Sequence, residues 1–141
     1  MQKNNKTMFI AKRIQSKVFY IIYIAAVLFL CLFNFSDTNI KLEESYLGIP
    51  ADKFIHSLMF MPYPYFCWLA LRYSIHIPWI KKYAFLSSIL SGILFAAGTE
   101  IAQMTLTQNR TADIFDFIAD LCGLTIGLLP IALHNIIFKK K

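Results

Sequence analysis

Four runs of about 20 mostly apolar residues dominate this chain: Val18–Phe35, Phe54–Tyr73, Ala84–Met104 and Ile114–Phe138. The hydrocarbon core of a bilayer is about 30 Å thick and a helix rises about 1.5 Å per residue, so each run matches one crossing. Composition agrees, since 57% of the 141 residues are hydrophobic and the mean hydropathy is +0.54. A soluble domain of this size would leave much of that apolar surface exposed to water. The expectation is an all-α integral membrane bundle of four transmembrane helices. It forms a single domain over residues 18–138, with a basic N-terminal segment (1–17) and a basic tail (139–141). Pro62 and Pro64 in "FMPYPYF" should kink the second helix, because each removes a backbone donor and crowds the preceding turn.

The first run follows a basic leader, as a signal peptide would. It is longer than a usual signal core and no small-x-small cleavage pattern follows it, so a retained anchor is expected. Orientation comes from counting Lys and Arg beside the spans. Eleven of the fourteen lie in the N-terminal segment (Lys3, Lys6, Lys12, Arg13, Lys17), between the second and third runs (Arg72, Lys81, Lys82) and in the tail. The other side holds only Lys41, Lys53 and Arg110. The positive-inside rule then places both termini in the cytoplasm and turns the first and third loops outward. The first of these, "SDTNIKLEESYLGIPADK", is polar and is expected to carry a short surface helix.

That distribution also disposes of a nucleic-acid partner. The net charge of +6 sits beside apolar runs rather than among interleaved aromatic residues, and no nucleic-acid motif is present. Cys31, Cys67 and Cys122 fall inside apolar stretches without metal-ligand spacing and read as small buried hydrophobes.

The remaining ionisable residues fall at one membrane depth. "DKFIH" opens the second helix with Asp52, Lys53 and His56. "GTEIAQM" closes the third with Glu100 and Gln103, and the loop and start of the fourth add Arg110, Asp113, Asp116 and Asp120. At about 100° per residue, Asp113, Asp116, Asp120, Gly123 and Gly127 share one face of the fourth helix. Gly92, Ala96, Thr99, Glu100, Gln103 and Thr107 share a face of the third, and Asp52, His56 and Tyr63 a face of the second. Gly123 and Gly127 form a small-xxx-small pair that admits a close neighbour, with Gly92 a third packing position. The polar stripes are expected to face one another. Acids placed within a membrane are costly, and by default they mark functional sites.

These elements in this order, "DKFIH", then "GTEIAQ", then "NRTADIFDFIADLCGLTIG", resemble the VanZ-like family of small bacterial membrane proteins from about Ala51 to Pro130. One departure is Asp120, where the family often has Asn. The resemblance implies a multi-pass protein of the bacterial cytoplasmic (inner) membrane. It also implies a connection to low-level resistance to the glycopeptide teicoplanin, the phenotype associated with the founding member.

Three functions compete. In the first, the outward polar rim (Asp52, Lys53, His56, Glu100, Gln103, Arg110, Asp113, Asp116, Asp120) binds or modifies an envelope precursor, a lipid or a glycopeptide. Arg110 would hold an anionic group, and His56 and Glu100, the candidate catalytic pair, would exchange protons. In the second, the charges form a structural network and the protein organises membrane partners. In the third, the chain is a small proton-coupled transporter, with Glu100 as its intramembrane acid. Glu100, Asp113, Asp116 and Asp120 would suit a hard cation, but no dedicated metal motif is present, so no metal or cofactor is assigned. The chain contains no G-x-S-x-G, H-E-x-x-H or P-loop pattern, so no enzyme class is assigned and enzyme status stays open, leaning negative. His134 reads as interfacial and His76 as a loop residue.

Overall fold

A computed structural model describes residues 2–33, 45–46, 48–73, 79, 82–107 and 113–138. The helices are α1 (Gln2–Leu32), α2 (Ala51–Phe60), α3 (Tyr63–Arg72), α4 (Ala84–Leu106), α5 (Ile114–Gly127) and α6 (Leu129–Phe138). A two-residue pairing, β1 (Ser45–Tyr46) with β2 (Ile49–Pro50), precedes α2. Four helical stretches are long and apolar enough to cross a membrane: Ile10–Leu32, Ala51–Arg72, Ala84–Leu106 and Ile114–His134. The protein is therefore an all-α, multi-pass membrane protein set in a lipid bilayer.

The helix boundaries follow from local chemistry. Residues 2–17 contain neither Pro nor Gly, so α1 runs through the polar leader instead of starting at Val18. At 31 residues it is about 46 Å long, longer than a bilayer core. The second span divides at Met61–Pro62. Pro62 and Pro64 have no N–H for the carbonyls four residues back, and Pro62 instead begins α3. The fourth span divides in the same way at Leu128, two residues before Pro130. In the first loop the expected surface helix is replaced, over residues 45–50, by the β1–β2 hairpin. Its turn uses Gly48 at φ +78°, a conformation open to glycine without a Cβ clash; residues 34–44 lie outside the described set.

α2 packs most extensively on α5, while α3 packs on α4 and α1. The α2–α5 seam is nearly backbone to backbone. A Cβ on Gly123 would overlap the Ser57 carbonyl, and one on Gly127 would overlap the carbonyl of Met61. At Gly92 the neighbours are side chains, Leu124 and Tyr63. The core joins Val27, Cys31, Phe60, Tyr63, Cys67, Ala96 and Leu124, with a second cluster of Trp68, Ala84 and Ile131. Tyr20 and Tyr63 share a hydroxyl–hydroxyl bond of 3.0 Å, and the Tyr23 hydroxyl donates to the Met59 carbonyl, which fastens α1 to the interrupted turn of the second span. Large apolar side chains such as Ile21, Leu94, Leu106 and Ile136 point outward. In water such a surface would aggregate; against lipid tails it is the expected exterior.

Candidate functional site

The start of α2, the end of α4 and the start of α5 meet at one end of the bundle. α5 begins there because Asp113 caps it: its side chain accepts a 2.9 Å bond from the Phe115 amide. Lys53, one turn into α2, reaches across to this cap. Its Nζ donates to Asp113 Oδ2 at 2.5 Å, to Asp116 Oδ1 at 2.5 Å and to its neighbour Asp52 at 2.8 Å. The ammonium and the Phe115 amide both favour the ionised form, and they hold the Asp113 carboxyl below the usual carboxylate range.

Beneath this ion-pair layer lies a more buried one. His56 Nδ1 is 3.0 Å from Asp120 Oδ1, and Nε2 lies 3.9 Å from Asp116 Oδ2, too far for a hydrogen bond. With Asp120 ionised and the imidazole neutral, Nδ1 carries the proton and Nε2 presents its lone pair. Glu100 Oε2 accepts from the Asp113 amide at 3.3 Å, which joins α4 to the α5 cap. His56 and Glu100 are each 7% exposed and Asp120 is fully buried. Two carboxylate oxygens, Glu100 Oε1 and Asp120 Oδ2, are buried with no hydrogen-bond partner among the described residues. Such orphans are rare because desolvation goes uncompensated. One polar atom each from His56, Glu100 and Asp116 lies within 4.8 Å of the others.

Depth follows from position along each helix. His56, Glu100 and Asp120 stand five or six residues inside the ends of their spans, or about 8–9 Å at 1.5 Å per residue, well short of the midplane. An apolar groove of about 340 Å³ opens beside Glu100 and Asp113, lined also by Ala97, Ile101, Ile114 and Phe117.

The structure thus brings together Asp52, Lys53, His56, Glu100, Asp113, Asp116 and Asp120. Gln103 points elsewhere: its Nε2 donates to the Cys31 carbonyl at 3.0 Å, capping the last turn of α1. Arg110 and His76 lie outside the described residues. His134 stands edge-on to the Trp68 ring at 4.9 Å, away from the cluster. Sequence depth grouped His56 with Glu100, whereas its hydrogen-bond partner is Asp120. The i, i+4 spacing of Asp116 and Asp120 across from His56 was the available signal for that pairing.

The VanZ/LLP1 family model matches residues 17–136. The match takes in most of the chain, which therefore belongs to this family. No curated protein and no solved structure matches it significantly.

Proposed function

We propose that in this member of the VanZ/LLP1 family the buried polar end of the bundle is an outward-facing site for an amphipathic component of the bacterial cell envelope. The protein spans the cytoplasmic (inner) membrane with both termini inside, since eleven of its fourteen basic residues flank that side. The site binds or acts on a lipid or lipid-linked precursor, and low-level teicoplanin resistance is its expected phenotype.

The observation that carries this reading is the pair of oxygens on Glu100 and Asp120 that are orphaned among the described residues. A network kept only for helix packing would satisfy its buried members, since an unpaired buried acceptor costs about 1–3 kcal/mol. The layer around Lys53 is closed in that way, with three carboxylates on one ammonium, and it serves to position. The layer beneath keeps acceptor capacity in reserve for a ligand. The groove beside Glu100 is lined by four apolar residues and two acids, Glu100 and Asp113, a lining that suits an acyl chain with a polar head. Arg110, in the loop between α4 and α5, supplies a cation for an anionic headgroup. A transport role is supported less well, because the acids stand near one rim rather than midway through the bilayer.

The test is teicoplanin susceptibility in cells carrying an empty vector, the wild type, Arg110→Ala, Glu100→Gln or Asp116→Asn, at matched membrane levels. The wild type is expected to protect, and each variant to lose most of that protection. Susceptibility equal to the empty vector throughout would refute the resistance phenotype. Full protection by all three variants would refute the assignment of the site.

A further inference from the structure

We propose that His56, Glu100 and Asp116 form a binding site for a divalent first-row transition cation of the Zn²⁺ class, with Asp120 orienting His56. The inference deepens the reading of the same bundle end and names what its unused donors hold.

Each of the three residues has one polar atom occupied by a neighbour and one left over. His56 spends Nδ1 on Asp120 and keeps Nε2. Asp116 spends Oδ1 on Lys53 and keeps Oδ2, which faces that Nε2 at 3.9 Å. Glu100 spends Oε2 on the Asp113 amide and keeps Oε1, which is buried and has no partner among the described residues, in a residue only 7% exposed. The arrangement is that of ligands fixed from behind: a carboxylate bonded to the far nitrogen of an imidazole sets its tautomer and turns its near nitrogen toward a metal.

Distances fit a small adjustment. One ligand atom from each of His56, Glu100 and Asp116 lies within 4.8 Å of the other two, and the named pair His56 Nε2–Asp116 Oδ2 is 3.9 Å apart. Tetrahedral binding at about 2.0–2.2 Å sets the donors roughly 3.3–3.6 Å apart, so the widest pair must close by up to about 1.5 Å, a shift the side chains make by rotation. The donor chemistry selects the class. One imidazole with two carboxylates suits Zn²⁺, Mn²⁺ or Fe²⁺, whereas Mg²⁺ and Ca²⁺ prefer all-oxygen shells. Charge agrees, since two carboxylates and a neutral imidazole balance a divalent ion in a region where uncompensated charge is costly. Asp113 stays outside the ligand set because its side chain is held by Lys53 and the Phe115 amide.

The test uses tag-free, full-length protein in detergent, stripped with a chelator and then equilibrated with Zn²⁺. Metal content is read by elemental analysis, and affinity by competition with a chromogenic chelator. The wild type is expected to retain one Zn²⁺ per chain more than His56→Ala, and to bind Zn²⁺ far more tightly than Mg²⁺. Glu100→Gln and Asp116→Asn should each weaken binding at least tenfold, while Asp120→Asn keeps the stoichiometry and loses about 10–100-fold in affinity. Substituted Co²⁺ should show visible d–d bands in the wild type that His56→Ala abolishes. Zn²⁺ should also raise the unfolding midpoint of the wild type more than that of Glu100→Gln at the same concentration, which separates weakened binding from lost folding. Equal Zn²⁺ content and affinity in the wild type and a His56→Ala/Glu100→Gln double variant would overturn the proposal. The measurement needs no envelope ligand, so its failure is distinguishable from an unchanged teicoplanin susceptibility, which bears only on the envelope reading.

Discussion

Replacing Gly127 with alanine should force α2 and α5 apart, and the cost can be worked from their contact. The added Cβ overlaps the Met61 carbonyl oxygen and lies 2.9 Å from its carbon and 3.0 Å from Pro64 Cδ. The limiting contact is that of Cβ with the oxygen, about 1 Å inside the 3.0 Å closest approach of real Cβ atoms, so the helices must separate by about 1 Å or more. The obstacle is backbone, which cannot rotate away as a side chain does. A gap of that size forfeits about half or more of each dispersion contact along the seam, and overpacking of this kind costs about 1–3 kcal/mol or more. Gly123→Ala meets Ser57 in the same way one turn earlier, and it loosens the seam beside the 3.0 Å His56–Asp120 bond. The two substitutions share one displacement, so the double variant should cost less than the two singles together. Gly98 is the internal control: a Cβ there meets nothing within 4 Å, and Gly98→Ala should be neutral or stabilise by up to about 1 kcal/mol. The assay is unfolding by SDS in mixed micelles, followed through the fluorescence of the buried Trp68 in a Trp79→Phe background. If Gly127→Ala stays within about 0.5 kcal/mol of its parent while Gly98→Ala costs more, the close-packed seam is not what holds these helices together.

Two further perturbations address the polar end and its surroundings. Lys53→Met leaves Asp116, whose side chain is 17% exposed, without its cation, and should destabilise the protein by about 1–3 kcal/mol. The same change in an Asp116→Asn background should cost at least about 0.5 kcal/mol less; equal costs in the two backgrounds would show that this ion pair contributes nothing to the fold. Gln103→Leu deprives the Cys31 carbonyl of its donor from α4. It should cost about 0.6–1.7 kcal/mol, the range for hydrogen bonds between membrane helices, and speed amide exchange in the last turn of α1. Unchanged exchange there would contradict the capping role.

The spans were legible because hydropathy over some 20 residues is a bulk property, indifferent to the details of packing. The convergence of α2, α4 and α5 at one end was legible for a related reason: in a bundle, membrane depth follows from chain direction, and charged residues at three span ends come to one level whatever the packing. Azimuth is another matter. Whether His56 faces Glu100 or Asp120 depends on how α2 is rotated against α5, and that rotation is set by the Ser57 and Met61 carbonyls resting on Gly123 and Gly127. Gln103 shares a helical face with Glu100, yet it reaches α1, because the crossing of α1 past α4 places the Cys31 carbonyl within its range. The extension of α1 to Gln2 and the division at Leu128 are local effects of an absent breaker and of Pro130. The hairpin at residues 45–50 turns on a single glycine in a polar loop, too short a signal to displace the helical expectation.

The account depends most directly on which way the polar bundle end faces. A reporter active only outside the cytoplasm, fused after Gln108 in the loop between α4 and α5, reads this without any assumption about ligand or metal. The positive-inside assignment predicts activity there, and none for the same reporter fused after Lys141. Activity at the tail and silence after Gln108 would place the His56–Asp120–Glu100 end in the cytoplasm and contradict an envelope-facing site.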